Sequence, residues 1–220
     1  MSLDVEQIVD RKVAKWCTDD TMKRTIDIVL AALALVLLLP AMALIALILF
    51  LQDGRPIFFN HCRIGFRGRE FSCLKFRTMK QDAEQRLADL LRNCEASRQE
   101  WATTQKLKND PRITRFGSFL RRSSLDELPQ LINVLRGEMS LVGPRPIVRA
   151  EIPRYADAYV YYASIRPGVT GLWQINGRND TDYSERVRLD VQYAKTGTLR
   201  TDLIILIKTV AVVLLGRGSY

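Results

Sequence analysis

The longest apolar stretch of the chain covers residues 28–51, with Pro40 in its middle. A run of this length suffices for a transmembrane helix and is too long for a signal-peptide core. Each half reaches only about 18 Å as a helix, which is short of a hydrocarbon core of about 30 Å. Lys23 and Arg24 precede the run and Arg55 follows it, so both ends are expected on the cytoplasmic side. A helix broken at Pro40 into a re-entrant hairpin meets both conditions, and a kinked span is the alternative that the pattern leaves open.

Shorter patterns at the two ends of the chain indicate helices that lie on a surface. Residues 1–24 are polar, with apolar positions at helical spacing, namely Val5, Ile8, Val9 and Val13. Residues 203–215 are apolar apart from Lys208 and too short to span a bilayer, which suits an amphipathic interfacial helix or a core helix. The predicted division is a polar, amphipathic segment at 1–24, a membrane helix at 25–52 and a larger domain at 53–220.

The domain at 53–220 mixes short extended patterns with helical ones. Strands are predicted over 57–59 and 71–76, and helices over 81–105, 113–120 and 131–135. A strongly basic loop with Gly65 and Gly68 is expected between the two strands. The predicted fold class is α+β, mostly helical.

The composition limits the kinds of partner and of catalytic site that the chain can have. The net charge of +9 indicates an anionic partner, which charge alone leaves open among nucleic acid, phospholipid head groups and a phosphorylated substrate. The four cysteines are widely spaced without a C-x-x-C, and His61 is the only histidine, so neither a zinc site nor a histidine-based triad is predicted. The thiols are expected to be reduced. No glycine-rich P-loop is present.

The stretch from Arg121 to Gln130 carries the candidate chemistry. Asp126 and Glu127 are adjacent carboxylates behind the pair Arg121 and Arg122, whose charges favour the ionised form. Pro129 is acceptable in a first helical turn, so a helix is expected to begin near Asp126. The structural alternative is a capping box, in which Ser124 and Glu127 only cap that helix.

A second candidate is Arg145, which lies between Pro144 and Pro146. The two prolines restrict the backbone and exclude a regular helix, which suits a loop that holds an arginine rigidly. A guanidinium group matches pairs of phosphate oxygens. An ordinary proline-rich turn with a solvated arginine is the alternative.

Several ordered motifs resemble those of the bacterial sugar transferases, the monotopic phosphoglycosyl transferases. They are Lys75-Phe76-Arg77-Thr78-Met79, Asp110-Pro111-Arg112-Ile113-Thr114, Ser124-Leu125-Asp126-Glu127-Leu128-Pro129-Gln130, Ser140-Leu141-Val142-Gly143-Pro144-Arg145-Pro146 and Asn176-Gly177-Arg178-Asn179. The resemblance runs from about Lys23 to the end of the chain. It favours the hairpin at Pro40, because the family uses a re-entrant helix broken at a proline.

The resemblance implies transfer of a sugar-1-phosphate from a UDP-sugar to undecaprenyl phosphate with release of UMP, the first membrane step of a surface glycan. It implies that Asp126 is the nucleophile that forms a covalent phosphosugar intermediate, that Glu127 is its partner, and that Mg²⁺ lies at this pair. The expected substrate-binding residues are Lys75, Arg77, Arg122, Arg145 and Asp190.

The same resemblance implies a place and partners. The expected location is the cytoplasmic face of the bacterial inner membrane, among phospholipids, with no nucleic acid partner. The pattern Gly171-Leu172-Trp173-Gln174 is most similar to members that transfer galactose or glucose phosphate for exopolysaccharide or O-antigen of lipopolysaccharide. A homodimer is left open. The competing hypotheses are a membrane-anchored basic binding module and a hydrolase that uses water in place of the lipid.

Overall fold

The computed structural model describes residues 17–104, 107, 110–176 and 182–215. The first sixteen residues of the predicted amphipathic segment, residue 105 and residues 177–179 of the last motif lie outside this part. The helices are α1 (Cys17–Asp53), α2 (Ala83–Asn93), α3 (Glu95–Thr104), α4 (Arg115–Ser123), α5 (Gln130–Arg136), α6 (Ile152–Tyr155), α7 (Tyr159–Ala163), α8 (Leu172–Ile175), α9 (Tyr183–Thr196) and α10 (Leu199–Leu215). The strands are β1 (Phe58–Ile64), β2 (Glu70–Phe76), β3 (Ser140–Val142) and β4 (Gly168–Thr170). The α+β, mostly helical prediction is confirmed for this part of the chain.

Helix α1 is one continuous element with Pro40 inside it, so the predicted break does not appear as an interruption of the helix. Proline only removes one hydrogen bond of the ladder, and the neighbouring turns keep theirs. The helix also begins at Cys17 and not at residue 25. Within the described residues, the segment Thr21–Asp53 is the one helix long and apolar enough to cross a membrane. Its membrane topology stays a prediction.

One side of α1 packs on the rest of the protein along nearly its whole length. Its buried residues recur at helical spacing on both sides of Pro40, as Asp27, Ala31, Met42, Ile45 and Leu49. The opposite side exposes large apolar residues, including Val36, Leu37, Leu39 and Leu51. An exposed apolar surface of this extent needs cover, which supports association with a membrane.

Both ends of α1 are tied to the same body. Near its start, Lys23 Nζ lies 2.6 Å from Asp202 Oδ2 of α10. The carboxylate of Asp27 accepts a hydrogen bond from Ser140 Oγ at 2.7 Å. At its end, Arg77 Nη2 donates to the carbonyls of Asp53 and Gly54 at 3.1 and 3.0 Å. The helix is therefore an integral part of the fold and not a detached anchor.

Strands β1 and β2 form an antiparallel hairpin in which Phe59 pairs with Lys75 and His61 with Cys73. The prediction ended the first strand at residue 59, whereas β1 continues to Ile64. A basic loop was expected here because of Gly65 and Gly68, but both glycines follow the end of β1, and alternate basic side chains of a strand can point to solvent while the backbone stays paired. The loop shrinks to a single 3-10 turn, Phe66–Gly68.

A parallel pair, β3 and β4, lies on the other side of the core, with Ser140 opposite Gly168 and Val142 opposite Thr170. A Cβ atom at Gly168 would lie 2.1 Å from the backbone nitrogen of Gly143, so only glycine permits this approach. Helix 81–105 was predicted as one element, but the chain is extended at Cys94 and two helices, α2 and α3, result.

Three clusters of buried residues hold these elements together. The largest joins α1 to β2, α5, β3, α9 and α10 and includes Ala31, Cys73 and Val134. The second packs the later half of α1 against Phe76 and Leu120. Helix α10 starts four residues earlier than predicted and buries Ile205, while Leu203, Ile204 and Ile207 are exposed. This exposed apolar side is compatible with the interfacial position that was predicted.

Candidate active site

The carboxylate pair lies in a short connection between α4 and α5. Thr114 caps α4, since its hydroxyl accepts a hydrogen bond from the backbone N–H of Gly117 at 2.8 Å. The helix ends at Ser123, and Ser124 takes a left-handed conformation with φ of 57°. This conformation is costly for a residue other than glycine and turns the chain sharply into the 3-10 turn Leu125–Glu127.

This geometry corrects two predictions. The side chain of Ser124 makes no capping hydrogen bond, so the capping-box interpretation is wrong. Helix α5 begins at Gln130, with Pro129 as its N-cap, so the carboxylates precede the helix. Proline accepts the helical φ without needing a backbone donor, which places the helix start immediately after it.

Asp126 is buried, with 7 % of its surface exposed. In the part of the chain that the structure describes, no other side chain hydrogen-bonds to its carboxylate. Burial, followed by the negative charge of Glu127, raises the pKa of Asp126 to about 6, against the opposing charges of Lys75 and Arg121. At neutral pH Asp126 is thus mostly ionised, desolvated and available as a nucleophile.

Glu127 is held by Lys75 of β2, whose Nζ lies 2.5 Å from Glu127 Oε1. Burial alone would lower the pKa of Lys75, but the charges of Glu127 and Asp126 and the hydrogen bond to Glu127 outweigh it and raise that pKa. The ammonium group therefore stays positive and lies beside both carboxylates. The structure brings Lys75, a predicted substrate-binding residue, next to Asp126 and Glu127.

Arg121 is the arginine whose charge acts on the pKa of Asp126. Its Nε donates to Thr78 Oγ1 at 2.8 Å, and its charge opposes the rise in the pKa of Asp126. Arg122 is exposed on α4. Gly117 and Arg121 are one turn apart on the same side of α4, and a Cβ atom at Gly117 would lie 2.1 Å from the Thr78 carbonyl oxygen. The glycine therefore allows the close approach that brings Arg121 to Thr78.

Arg77, a predicted substrate-binding residue, contacts the end of α1 in the structure. Its guanidinium group is buried and donates to the carbonyls that end α1, and its Nη2 lies 3.7 Å from Asp53 Oδ2. The other terminal nitrogen, Nη1, is buried without a hydrogen-bond partner. In this arrangement Arg77 links β2 to the membrane helix. A role in substrate binding stays a prediction for Arg77 and Arg122.

Arg145 and Asp190 lie together in a second cluster. Both line a small pocket with Trp173, Tyr183 and Arg186, and the Arg145 guanidinium lies 5.8 Å from the Trp173 ring. This contact ties the loop between the two prolines to α8.

Asp190 itself is 2 % exposed and accepts a hydrogen bond from Tyr155 at 2.7 Å, while its other oxygen, Oδ1, has no partner. Burial raises the pKa of Asp190 to about 7, although the hydrogen bond from Tyr155 and the charges of Arg145 and Arg186 oppose the rise.

The two clusters flank one strand. Burial raises the pKa of the Cys73 thiol on β2, and the charges of four groups also act on this pKa. Lys75 and Glu127 belong to the first cluster, and Arg63 and Arg145 lie on the side of the second. Arg63 Nη1 donates to the carbonyl of Pro146 at 3.1 Å, which fixes the Arg145 loop against β1. Cationic groups therefore extend along the hairpin from the carboxylate pair to Arg145, as binding of a substrate with two phosphates requires.

The donor set was also compared with the needs of a metal ion. No group of three or more His, Cys, Asp or Glu side chains suited to a metal occurs among the described residues. Mg²⁺ usually takes one or two carboxylates and completes its shell with water and substrate phosphates. The pair of Asp126 and Glu127 fits such an ion and does not fit a metal enclosed by protein ligands.

The sequence did not indicate the contacts of Thr78 and Arg63, and it named Arg121 only together with Arg122 as a source of positive charge. Helical periodicity from the buried Gly117 and Leu120 would have placed Arg121 toward the core and Arg122 toward solvent. Arg63 was assigned to a basic loop, and its position on β1 next to the Arg145 loop became visible only with the strand register.

Comparison with known proteins agrees with the geometry. The chain is 49 % identical over 198 residues to "Exopolysaccharide production protein ExoY" of Sinorhizobium fredii, covering 90 % of this chain and 88 % of that protein. It is 50 % identical over 199 residues to "Undecaprenyl-phosphate galactose phosphotransferase" of Salmonella typhimurium, covering 90 % of this chain and 42 % of that longer protein. A "UDP-glucose:undecaprenyl-phosphate glucose-1-phosphate transferase" of Escherichia coli is 39 % identical over 207 residues, 90 % of this chain and 41 % of that protein.

Residues 18–216 match the model of a family described as bacterial sugar transferase. The match includes α1, the carboxylate pair, the Arg145 loop and α10. The chain belongs to the bacterial sugar transferase family.

Proposed function

We propose that this chain transfers a sugar-1-phosphate, galactose or glucose phosphate, from a UDP-sugar to undecaprenyl phosphate at the cytoplasmic face of the inner membrane. The observation that carries the proposal is a buried carboxylate, Asp126, without a side-chain partner among the described residues, next to the pair formed by Lys75 and Glu127. The names of the Salmonella and Escherichia coli relatives support the substrate class. The name of the Sinorhizobium relative supports a role in exopolysaccharide synthesis.

In the proposed mechanism an oxygen of the Asp126 carboxylate attacks the phosphorus that bears the sugar. A bond forms between this oxygen and phosphorus, the bond from phosphorus to the bridging oxygen breaks, and UMP leaves with the electron pair. An oxygen of the lipid phosphate then attacks the same phosphorus and displaces the Asp126 carboxylate. The product is the lipid-linked diphosphate sugar, and the enzyme regains its carboxylate.

Charge stabilisation dominates such a phosphoryl transfer, because the protein has little covalent work beyond the nucleophile. Lys75 and Arg121 lie at the carboxylate pair, and Arg145 extends the positive charge along the hairpin. Mg²⁺ held by Asp126 and Glu127 would neutralise the charge of the diphosphate. Asp190 and Tyr155 shape the pocket around Arg145 and are assigned to orientation of the substrate.

The structure of α1 supports a re-entrant position in the membrane. Its start is bonded to Asp202 and its end to Arg77, and both partners belong to the body that carries the polar active site. A span would place these two attachment points on opposite sides of a hydrocarbon core of about 30 Å. A shallow position keeps both at one surface, where the phosphate of the lipid substrate lies.

The test is release of UMP by the purified chain from a panel of UDP-sugars, with undecaprenyl phosphate and Mg²⁺. UMP and a lipid-linked sugar are expected to form together. One UDP-hexose of the panel is expected to react faster than the others. Formation of free sugar-1-phosphate at the same rate without lipid would indicate a hydrolase. Retention of nucleic acid or acidic lipid without turnover would indicate the binding module.

A further inference from the structure

The only histidine of the chain, His61, lies on the same side of the hairpin as Lys75 of the candidate site. It pairs with Cys73 across the strands, and Lys75 is two residues further along β2, which makes it a diagonal neighbour on the same side. His61 is neither fully buried nor exposed. Its side chain is therefore half-buried on the side of the hairpin that carries Lys75.

Arg63 fixes the protonation pattern of this ring. Its Nη2 lies 3.1 Å from His61 Nδ1. An arginine side chain has only donors, so Nδ1 must accept this hydrogen bond and the proton of a neutral ring must be on Nε2. Arg63 is itself held by the carbonyl of Pro146 at 3.1 Å and lies 3.8 Å from Glu151. The acceptor side of the ring is thus occupied, and the donor side is defined.

The surroundings keep the ring neutral. Burial lowers the pKa of His61, and the charges of Arg63, Lys75 and Arg145 lower it further, against the opposing charge of Glu151. These four groups come from β1, β2, the Arg145 loop and the turn that precedes α6. Among the residues that the structure describes, none accepts a hydrogen bond from His61 Nε2. The ring therefore has one N–H donor, on Nε2, within the influence of three cationic side chains, Arg63, Lys75 and Arg145.

We infer that His61 donates a hydrogen bond from Nε2–H to a phosphoryl oxygen of a substrate, with Arg63 as the residue that sets its tautomer. This inference rests on the proposed function. A neutral donor suits the position, because it contributes to phosphate binding without adding another charge next to Lys75 and Arg145. The phosphoryl oxygen is supplied either by the diphosphate of the UDP-sugar or by the phosphate of the polyprenyl lipid.

The first experiment uses the fact that the chain has a single histidine, so its imidazole ¹⁵N signals need no assignment. The spectra are recorded at neutral pH on the Asp126→Asn chain, which holds substrates without turnover under the proposed mechanism. The free protein is expected to show the Nε2–H tautomer. A shift of the Nε2 signal on addition of UDP-galactose identifies the nucleotide sugar as the source of the oxygen, and a shift only with undecaprenyl phosphate identifies the lipid.

The second experiment compares two amide substitutions. The side-chain nitrogen of glutamine reaches about as far as Nε2, whereas that of asparagine reaches only about as far as Nδ1. His61→Asn is expected to lower kcat/KM for the substrate that shifts the signal by roughly 10- to 100-fold, as for a lost hydrogen bond to a charged group. His61→Gln is expected to retain most of it. Asn60→Ala, on the opposite side of β1, is the matched control.

The inference would be overturned by an Nδ1–H tautomer, by an Nε2 signal that neither substrate moves, or by equal kinetics of the two amide variants. In each of these cases the wild-type chain still releases UMP, so the proposed function stands. A wild-type chain that releases no UMP under any condition contradicts the proposed function itself and removes the basis of the inference.

Discussion

Lys75 Nζ lies 2.5 Å from Glu127 Oε1, whereas the neighbouring Asp126 has no side-chain partner in the described structure. The lysine thus makes a direct ion pair with Glu127, whereas it acts on Asp126 only through its charge, without a hydrogen bond. This asymmetry assigns different tasks to two adjacent acids. Glu127 is held by an ion pair with Lys75, and Asp126 has no such pair.

The first prediction concerns the loss of the nucleophile. Asp126→Asn removes the attacking oxygen charge but keeps the size of the side chain, so UMP release is expected to fall by at least about 10³-fold. Membrane association and folding are expected to persist. The exposed Asp157→Asn serves as the control and should keep its activity. Wild-type turnover in the Asp126 variant would exclude this residue as the nucleophile.

The same substitution is expected to stabilise the protein. The pKa of Asp126 is raised from an ordinary value near 3.8 to about 6, so the folded protein holds the proton more tightly than the unfolded chain. The stability that protonation provides is present below pH 4 and is lost as the pH rises through about 6. Asparagine cannot ionise, so the advantage of Asp126→Asn should reach about 2–3 kcal/mol at pH 8 and vanish near pH 4. Thermal unfolding at both pH values, with EDTA present, measures it. An advantage that is independent of pH would contradict the assigned burial.

The pH dependence of the reaction follows from the same carboxyl group. Protonated Asp126 is a poor nucleophile, so the rate of UMP release is expected to fall as the pH drops through about 6. The rate of a single turnover without lipid, measured between pH 5 and 8, isolates this step. A profile that stays flat down to pH 4.5 would show that the ionisation of Asp126 does not govern attack.

The contact between Lys75 and Glu127 is predicted to matter for rate more than for stability. Both side chains retain solvent access, 26 % and 34 %, so breaking the pair should change the free energy of unfolding by only about 1 kcal/mol or less. Lys75→Met should reduce UMP release by about 10²-fold or more, since it removes charge stabilisation at the phosphates. A double-mutant cycle with Glu127→Gln checks the coupling. Additive effects on rate would indicate that the two groups act independently.

A fourth site tests the packing behind the carboxylate pair. Gly117→Ala adds a Cβ atom that would lie 2.1 Å from the Thr78 carbonyl oxygen, so α4 must move away from β2. The expected loss is about 2 kcal/mol of stability, despite the better helix propensity of alanine, with a lower rate because Arg121 leaves Thr78. Ser118→Ala, next in the same helix, is the control. Unchanged activity and stability in Gly117→Ala would mean that α4 and Thr78 can move apart without loss of stability or rate.

The topology of α1 is tested by labelling. Single cysteines placed at Thr21 and Gln52, in a chain without other cysteines, are expected to react with an impermeant reagent only from the cytoplasmic side. The reason is that Lys23 and Asp53 are bonded to one polar body. Reaction of either position from the periplasm would establish a span.

Hydrophobic periodicity and sequence motifs predicted the local elements of this protein better than the contacts between them. The apolar run and the strand at 71–76 were identified because hydrophobic spacing is a local property. The grouping of Asp126, Glu127 and Lys75 came from the family resemblance, and the structure brings the three together. The extension of β1 to Ile64 was missed, because strand pairing is decided by a partner ten or more residues away.

The contacts of Arg77 and Arg121 were not predicted either. The contact of Arg77 with the end of α1 was not predicted, since only the tertiary fold shows which carbonyls lack a donor, and its role in substrate binding stays a prediction. The choice between Arg121 and Arg122 depended on which side of α4 is buried. That side is defined by Gly117 and by its contact with Thr78.

If α1 lies in the membrane as proposed, the contacts of Arg77 with the carbonyls of Asp53 and Gly54 at the end of α1 set the distance between the carboxylate pair and the lipid. Lys75 precedes Arg77 by two residues of an extended strand, a fixed path of roughly 7 Å. Arg77 at one end of this path is bonded to α1, and Lys75 at the other end is bonded to Glu127. The distance of the carboxylate pair from α1 is therefore fixed by the backbone between these two residues. Under the proposed function, a lipid phosphate at the membrane surface would then meet the phosphosugar without movement of the catalytic domain toward the membrane.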